Sequence, residues 1–270
     1  MREREPLLVL SGRTGYPTPL RRGVYLLPNL VTTAGLFAGF YSVIATFSGR
    51  YELAAVMVLV AHAFDGLDGR IARLTRTASR FGVEYDSLSD LVAFGVAPGI
   101  LVYKWALEPW QTWGWLAASL YVTCGALRLA RFNVQVESVE KRAFVGLPIP
   151  AAADMIVATV LLYYFFGGEG ATHKHIILLM LTYSLAGLMV SEVPYYSFKD
   201  IGWQSRQPFW LLIVIIVAFK FVIARPQVAL FASISLYLIS GPVWWALRRT
   251  RRLRRGSPSA GVGRGSAASS

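Results

Sequence analysis

The chain has 270 residues, of which 55% are hydrophobic and 16% charged, with a formal net charge of +12 and a mean hydropathy of +0.48. A water-soluble domain usually carries about a quarter charged residues, so this composition excludes a soluble globule, a disordered chain and a coiled coil. The apolar residues come in long runs rather than alternating, which excludes an outer-membrane barrel and predicts a bundle of membrane-spanning helices. A single cysteine, Cys124, leaves no partner for an internal disulfide and no thiolate cluster for a metal.

In chain order, Met1 to Val24 mixes Arg2, Arg4, Arg13, Arg21 and Arg22 with three prolines. Its apolar patch at Leu7–Leu10 is too short for a secretory signal, and no small-residue cleavage site follows it. Apolar runs then predict spans at 26–48, 51–74, 83–103, 110–127, 146–166, 175–193, 208–224 and 227–247, each near the ~20 residues a bilayer needs. No linker long enough to separate domains interrupts them. The fold expected is therefore an all-α integral membrane protein, a polytopic bundle of about eight transmembrane helices. A juxtamembrane segment (1–25) precedes the membrane domain (26–247), and a basic tail (248–270) follows it.

The 27 Lys and Arg residues are distributed unevenly between the two faces. The face of the amino terminus also receives Arg70, Arg73, Arg76, Arg80, Arg128, Arg131, Lys141, Arg142, Lys199, Arg206 and the tail arginines from Arg248 to Arg264. The other face holds Arg50, Lys104, Lys174 and Arg225, with Lys220 able to snorkel towards it. An even number of spans with both termini cytoplasmic fits this asymmetry. The positive charge is thus a membrane-surface feature and predicts no nucleic-acid partner. In the tail, whose end from Ser257 is Gly/Ser/Ala-rich and reads as disordered, the arginines from Arg248 to Arg255 suit anionic head groups at ~1 kcal/mol each. A plain positive-inside anchor accounts for the same residues.

One stretch breaks the membrane pattern. From Asp65 to Asp90 the chain reads DGLDGRIARLTRTASRFGVEYDSLSD, with four aspartates at the ends of two predicted spans. A carboxylate within a bilayer costs roughly 2.5–3.5 kcal/mol on insertion scales, so four together call for compensating charge. Asp65 and Asp68 stand at i and i+3, Asp86 and Asp90 at i and i+4, so each pair shares a helical face. Two antiparallel helices joined by a short turn could aim all four into one cavity. All-oxygen donors suit hard cations such as Mg²⁺ or Mn²⁺, and two such ions form a clamp for phosphoryl transfer. Gly66, Gly69 and Gly82 weaken their helices and let something large approach the backbone, and Arg70, Arg73, Arg76 and Arg80 supply cations suited to a phosphate. Spacing alone also admits interfacial aspartates paired with those arginines.

The pattern Asp65-x-x-Asp68-Gly69-x-x-Ala72-Arg73, eight residues, then Gly82-x-x-x-Asp86-x-x-x-Asp90 resembles the signature of the CDP-alcohol phosphatidyltransferases at every defining position. The resemblance implies a six-helix catalytic core that binds two divalent cations and a CDP-linked lipid. Carried over by position, it implies that Asp65 and Asp86 bridge the cations and that Asp68 holds the first. Asp90 would hold the second and accept the proton, as the catalytic base. It further implies that Asn29, Gly69, Arg73, Ser79 and Gly82 bind CDP-diacylglycerol, with Arg73 on the pyrophosphate. Four more segments, RRGVYLLPNLVTTAGLFAGFYS (21–42), GALRLARFNV (125–134), GLPIPAAA (146–153) and LMVSEVPYYSFKD (188–200), resemble the branch of that family whose acceptor is L-serine. That branch adds two helices to the core, works in the bacterial inner membrane with its active site at the cytoplasmic face, and is compatible with a homodimer.

A serine site needs a cation for the carboxylate and an acceptor for the ammonium. Arg128 and Arg131, with Asn133, close the fourth predicted span on the catalytic side and suit the carboxylate, although a positive-inside anchor explains the two arginines equally well. Backbone amides near Gly146–Pro148 are the next candidate. Other acceptor alcohols, namely glycerol phosphate, inositol phosphate or choline, stay open, as does a cation-coupled transporter. A transporter, however, should spread its acids over several helices near mid-membrane. Asp154 and Glu192 read as isolated intramembrane acids and so as site candidates, although interfacial exposure explains Glu192, and Asp154, just past Pro150, can sit at the same interface. His62, one turn before Asp65, reads as a packed core histidine rather than support for a metal ligand. His173 and His175 flank Lys174 in an outer loop without acids. Trp105, Trp110, Trp113 and Trp115 read as an outer aromatic belt.

Overall fold

The computed structural model describes residues 19–75, 79–137, 146–172, 175–193, 195 and 224–255. The expected seventh span, the Gly/Ser/Ala-rich end of the tail and His173, Lys174, Arg76, Lys141 and Arg142 lie outside them. Among the described residues the chain forms helices and no strand. α1 runs over Pro19–Phe47, α2 over Tyr51–Thr75, and α3 over Arg80–Trp110. α4 follows at Thr112–Glu137, α5 at Ile149–Phe165, α6 at Ile176–Val190 and α7 at Pro226–Arg255.

Three of these have spans long and apolar enough to cross a bilayer: Leu26–Phe47, Arg80–Trp110 and Pro226–Trp245. α5 and α6 are shorter apolar helices. α3 is longer than the expected 83–103 because the chain stays helical through two π-helical turns, Leu91–Val96 and Tyr103–Leu107. The first π turn has a local cause. Pro98 has no N–H to give the carbonyl of Phe94 four residues back, and that carbonyl instead accepts the buried Tyr121 hydroxyl at 2.9 Å. Turns of this kind interrupt a helix where a ladder bond is lost, often beside functional sites; this one begins directly after Asp90.

Small residues set how closely the first three helices approach. Gly35 and Gly39 are four apart on α1, a spacing that lets helices in lipid pack backbone to backbone. A Cβ at Gly39 would come within 2.8 Å of Ala93 Cα on α3, and one at Gly35 would meet Phe64 Cβ on α2 at 3.4 Å. Opposite α1, the buried face of α2 is Ala54, Ala55, Val58 and Ala61. α4 packs on α6, while α5 packs on both α7 and α2, so α2 stands between α1 on one side and α5 on the other.

Two expectations change here. Trp105 is in the core, 2% exposed, with its ring edge-on to Tyr163 at 5.4 Å and its carbonyl accepting the Thr172 N–H at 2.9 Å. It faces inward from α3, so only the exposed Trp113 and Trp115 fit a belt. Gly146, at φ +92°, donates its N–H to the Val193 carbonyl at 2.9 Å, and Leu147 donates to Leu188 at 3.0 Å. A Cβ at Gly146 would lie 2.6 Å from the Met189 carbonyl oxygen, so a glycine in the left-handed region is required. These amides are already bonded and cannot serve as an anion site.

Candidate active site

The end of α2 and the start of α3 bring the predicted acids together. Asp65, Asp68 and Asp86 each offer a carboxylate oxygen, and these oxygens lie within 4.8 Å of one another. Asp90 joins the other three around a cavity of about 10 Å³, which is also lined by Thr32, Gly35, Ala61, Ser89, Ala93 and Phe94. That is roughly the space one water-sized occupant needs. Beside it opens a larger cavity of about 170 Å³, lined by Pro28, Asn29, Thr32, Asp68, Gly69, Ala72, Ser79, Gly82, Val83 and Asp86. Asp68 and Asp86 face both spaces, so the small chamber is the inner end of the large one.

α1 fixes this assembly through residues with no obvious signal in the sequence. The Thr32 hydroxyl lies 2.6 Å from Asp68 Oδ2 and 3.1 Å from the Pro28 carbonyl, so its one hydrogen serves the carboxylate at the shorter distance. Ser89, beside Asp90, donates to the Thr32 carbonyl at 3.3 Å. Thr33 and Tyr85 share a hydroxyl–hydroxyl bond of 2.8 Å. The adjacent threonines Thr32 and Thr33 on α1 are the sequence feature that makes these contacts.

The expected nucleotide-side residues meet at the larger cavity, with one exception. Ser79 caps α3, its Oγ accepting the Gly82 N–H at 3.0 Å. A Cβ at Gly82 would sit 3.2 Å from that Oγ and 3.4 Å from Asn29 Oδ1, whereas one at Gly69 would meet nothing within 4 Å. Gly82 therefore keeps a polar corner clear, and Gly69 opens onto space. Arg73 is exposed one turn after Gly69, its Nε donating to the Gly69 carbonyl at 2.9 Å, and it does not line the cavity.

The two candidate arginines on α4 differ. Arg131 is exposed, whereas Arg128 is half-buried within electrostatic range of Asp90 and Tyr237. Its Nε is buried without a hydrogen-bond partner among the described residues. A buried donor left unpaired costs ~1–3 kcal/mol, which a bound acceptor would offset. Asn133 is engaged elsewhere, donating to Ser87 Oγ at 3.0 Å.

His62 and Asp154 correct the sequence reading. Asp154 is buried but not isolated, because His62 Nδ1 lies 2.9 Å from its Oδ2 and 3.0 Å from its Oδ1. The His62 side chain is 39% exposed, so it is no fully packed core histidine. Nothing in a sequence relates positions 92 residues apart. Glu192 and His175 are exposed.

The model of the CDP-alcohol phosphatidyltransferase family matches residues 25–188. A CDP-diacylglycerol–serine O-phosphatidyltransferase of Helicobacter pylori is 40% identical over 225 residues, covering 82% of this chain and 92% of the relative. A protein of the same name from Mycobacterium bovis is 33% identical over 242 residues, 86% of this chain and 82% of the relative. An archaetidylserine synthase of Methanothermobacter thermautotrophicus is 35% identical over 178 residues, 65% of this chain and 72% of the relative.

Proposed function

The chain belongs to the CDP-alcohol phosphatidyltransferase family, and on that premise we propose that it transfers the phosphatidyl group of CDP-diacylglycerol to the hydroxyl of L-serine, giving phosphatidylserine and CMP. The observation that carries this reading is the convergence of the four aspartates on a small chamber that continues into a cavity lined by Asn29, Gly69, Ser79 and Gly82. The serine-specific names of relatives at 33% and 40% identity support the choice of acceptor.

The donor set fits hard divalent cations, being all carboxylate oxygen with three donors already converged. Asp65 and Asp86 would hold both of two ions, Asp68 the first and Asp90 the second. Mg²⁺ or Mn²⁺ bound there would neutralise the pyrophosphate and acidify the acceptor hydroxyl. The chain's own residues do the rest. Asn29, Ser79 and the open backbone at Gly69 and Gly82 seat the cytidine diphosphate, and Arg73 reaches in from the rim to the pyrophosphate. Asp90 accepts the serine hydroxyl proton as the serine oxygen bonds to phosphorus. The bond from phosphorus to the CMP oxygen breaks, and its electron pair leaves with CMP. A single displacement suffices, and the hydroxyls that line the cavities are otherwise engaged, Thr32 on Asp68, Ser89 on the Thr32 carbonyl and Ser79 on the Gly82 N–H. Arg128 pairs with the serine carboxylate, which satisfies its buried Nε, while Arg131 stays at the surface with lipid phosphates.

The same reading places about eight spans in the bacterial inner membrane, with both termini and the reacting centre at the cytoplasmic face. The membrane domain is the catalytic one, the basic tail lies against anionic lipids, and a homodimer is compatible with it. A cation-coupled transporter is disfavoured because the acids occupy two consecutive helices around one chamber rather than a path through the bundle. Purified protein given CDP-diacylglycerol, Mn²⁺ and a panel of alcohols tests the reading. CMP release that depends on L-serine is expected. Release driven equally by glycerol phosphate, inositol phosphate or choline would remove serine and leave the family.

A further inference from the structure

The His62–Asp154 pair is a close polar contact between α2 and α5 that the proposed chemistry does not use. His62 lies one turn before Asp65 on α2, and its ring reaches Asp154 on α5 at 2.9–3.0 Å. The same ring stands edge-on to Phe94, centroids 5.5 Å apart. Phe94 in turn lines the acid chamber and has its carbonyl fixed by Tyr121. Asp154, His62 and Phe94 thus form a connected support behind the chamber.

The acids differ in how they are held. Asp68 accepts from Thr32, and Asp90 follows Ser89, which is bonded to α1. Asp65, Asp86 and Asp90 have no side-chain hydrogen bond of their own among the described residues, so the place of Asp65 depends on where the α2 backbone lies. Carboxylates crowded in a poorly screened chamber repel one another to the extent that they ionise. The tie from α2 to α5 resists displacement of α2 one turn from Asp65.

We propose that His62 and Asp154 are positioning residues that hold α2 so that Asp65 stays in register with the α3 carboxylates, and that they thereby set the protein's affinity for divalent cations. This rests on the reading of the chamber as the cation site.

The test is a Mn²⁺ titration of the purified full chain in lipid nanodiscs without substrates, with free Mn²⁺ read by electron paramagnetic resonance. The main variant is the double substitution His62→Phe with Asp154→Leu. It removes the tie but leaves no buried charge unpaired, so the helices should still insert and pack. Its Mn²⁺ affinity should fall about 10–100-fold, the usual cost of losing support behind a metal ligand. At saturating Mn²⁺, kcat and the serine KM should return to within a few-fold of the parent. His62→Gln with Asp154→Asn, which keeps a donor–acceptor pair, should recover most of the affinity. Unchanged Mn²⁺ affinity with a lowered melting temperature would make the pair a simple strut and overturn the proposal. So would a serine KM that stays raised at saturating Mn²⁺. Asp65→Asn is the control for the underlying reading: if it too leaves Mn²⁺ binding unchanged, the cation site itself is misplaced.

Discussion

On the side of the larger cavity, proposed for the nucleotide, the acid chamber is walled by α2 and α3, neighbours in sequence, with α1 bonded to both through Thr32, Thr33 and Ser89. Outside the cavity lining stand single side chains from distant helices, Arg128 on α4, within electrostatic range of Asp90, and Asp154 on α5, the latter reaching α2 through His62. The nucleotide wall is dense in hydrogen bonds and its glycines leave room for a ligand. Arg128, outside that lining, keeps a buried guanidinium nitrogen without a partner among the described residues. The contrast fits an enzyme that uses one region for a large anchored lipid nucleotide and the other for a small, freely exchanging acceptor.

The contrast breaks most sharply at the carboxylates of the chamber. Asp65→Asn or Asp86→Asn should abolish turnover while the protein remains folded and inserted, since each change removes an intramembrane charge. Near-normal CMP release in either variant across a Mn²⁺ series would end the two-cation reading. Chelation should stop the wild type, and added Mn²⁺ or Mg²⁺ should restore it. Asp90→Asn should lower kcat by ~10²–10⁴-fold, the range for a lost general base, and change the CDP-diacylglycerol KM much less. Equal losses in both constants would merge its role with binding.

Smaller effects separate the elements of the nucleotide wall. Arg73→Ala removes a charge-assisted contact worth ~1.5–3 kcal/mol, so the CDP-diacylglycerol KM should rise by about tenfold or more with the serine KM steady. Its position outside the cavity lining makes this a real risk, because an unchanged KM would leave Arg73 as a surface anchor. Ser79→Ala should lower the melting temperature modestly, through loss of an N-cap worth ~1 kcal/mol. A drop in substrate affinity without one would show that the hydroxyl serves ligand rather than helix.

The convergence of the acids is legible in the sequence because Asp65 to Asp90 lie within one stretch of chain. Helical periodicity places Asp65 and Asp68, or Asp86 and Asp90, on common faces, and a short connection brings the two faces together. Thr32 is not legible, because a threonine on an apolar helix looks like any other small residue until a neighbour's carboxylate is seen at 2.6 Å. The His62–Asp154 pair is hidden because only tertiary packing brings α2 and α5 together. Trp105 misleads for a related reason: position near a membrane boundary says nothing about which way a helix turns its side chains. For Arg128 and Arg131 the sequence offers two equal candidates, and the rotation of α4 buries one and exposes the other.

That the two regions serve different substrates is tested most directly by paired steady-state kinetics on Arg128→Lys. The substitution keeps the charge and loses the planar fork that matches a carboxylate. The serine KM should rise about tenfold, in line with a charged hydrogen bond of ~1.5 kcal/mol or more, while the CDP-diacylglycerol KM stays within about twofold and Arg131→Lys behaves like the parent. A serine KM unchanged in Arg128→Lys, or a rise confined to the lipid KM, would contradict the division between a nucleotide wall and an acceptor site at Arg128.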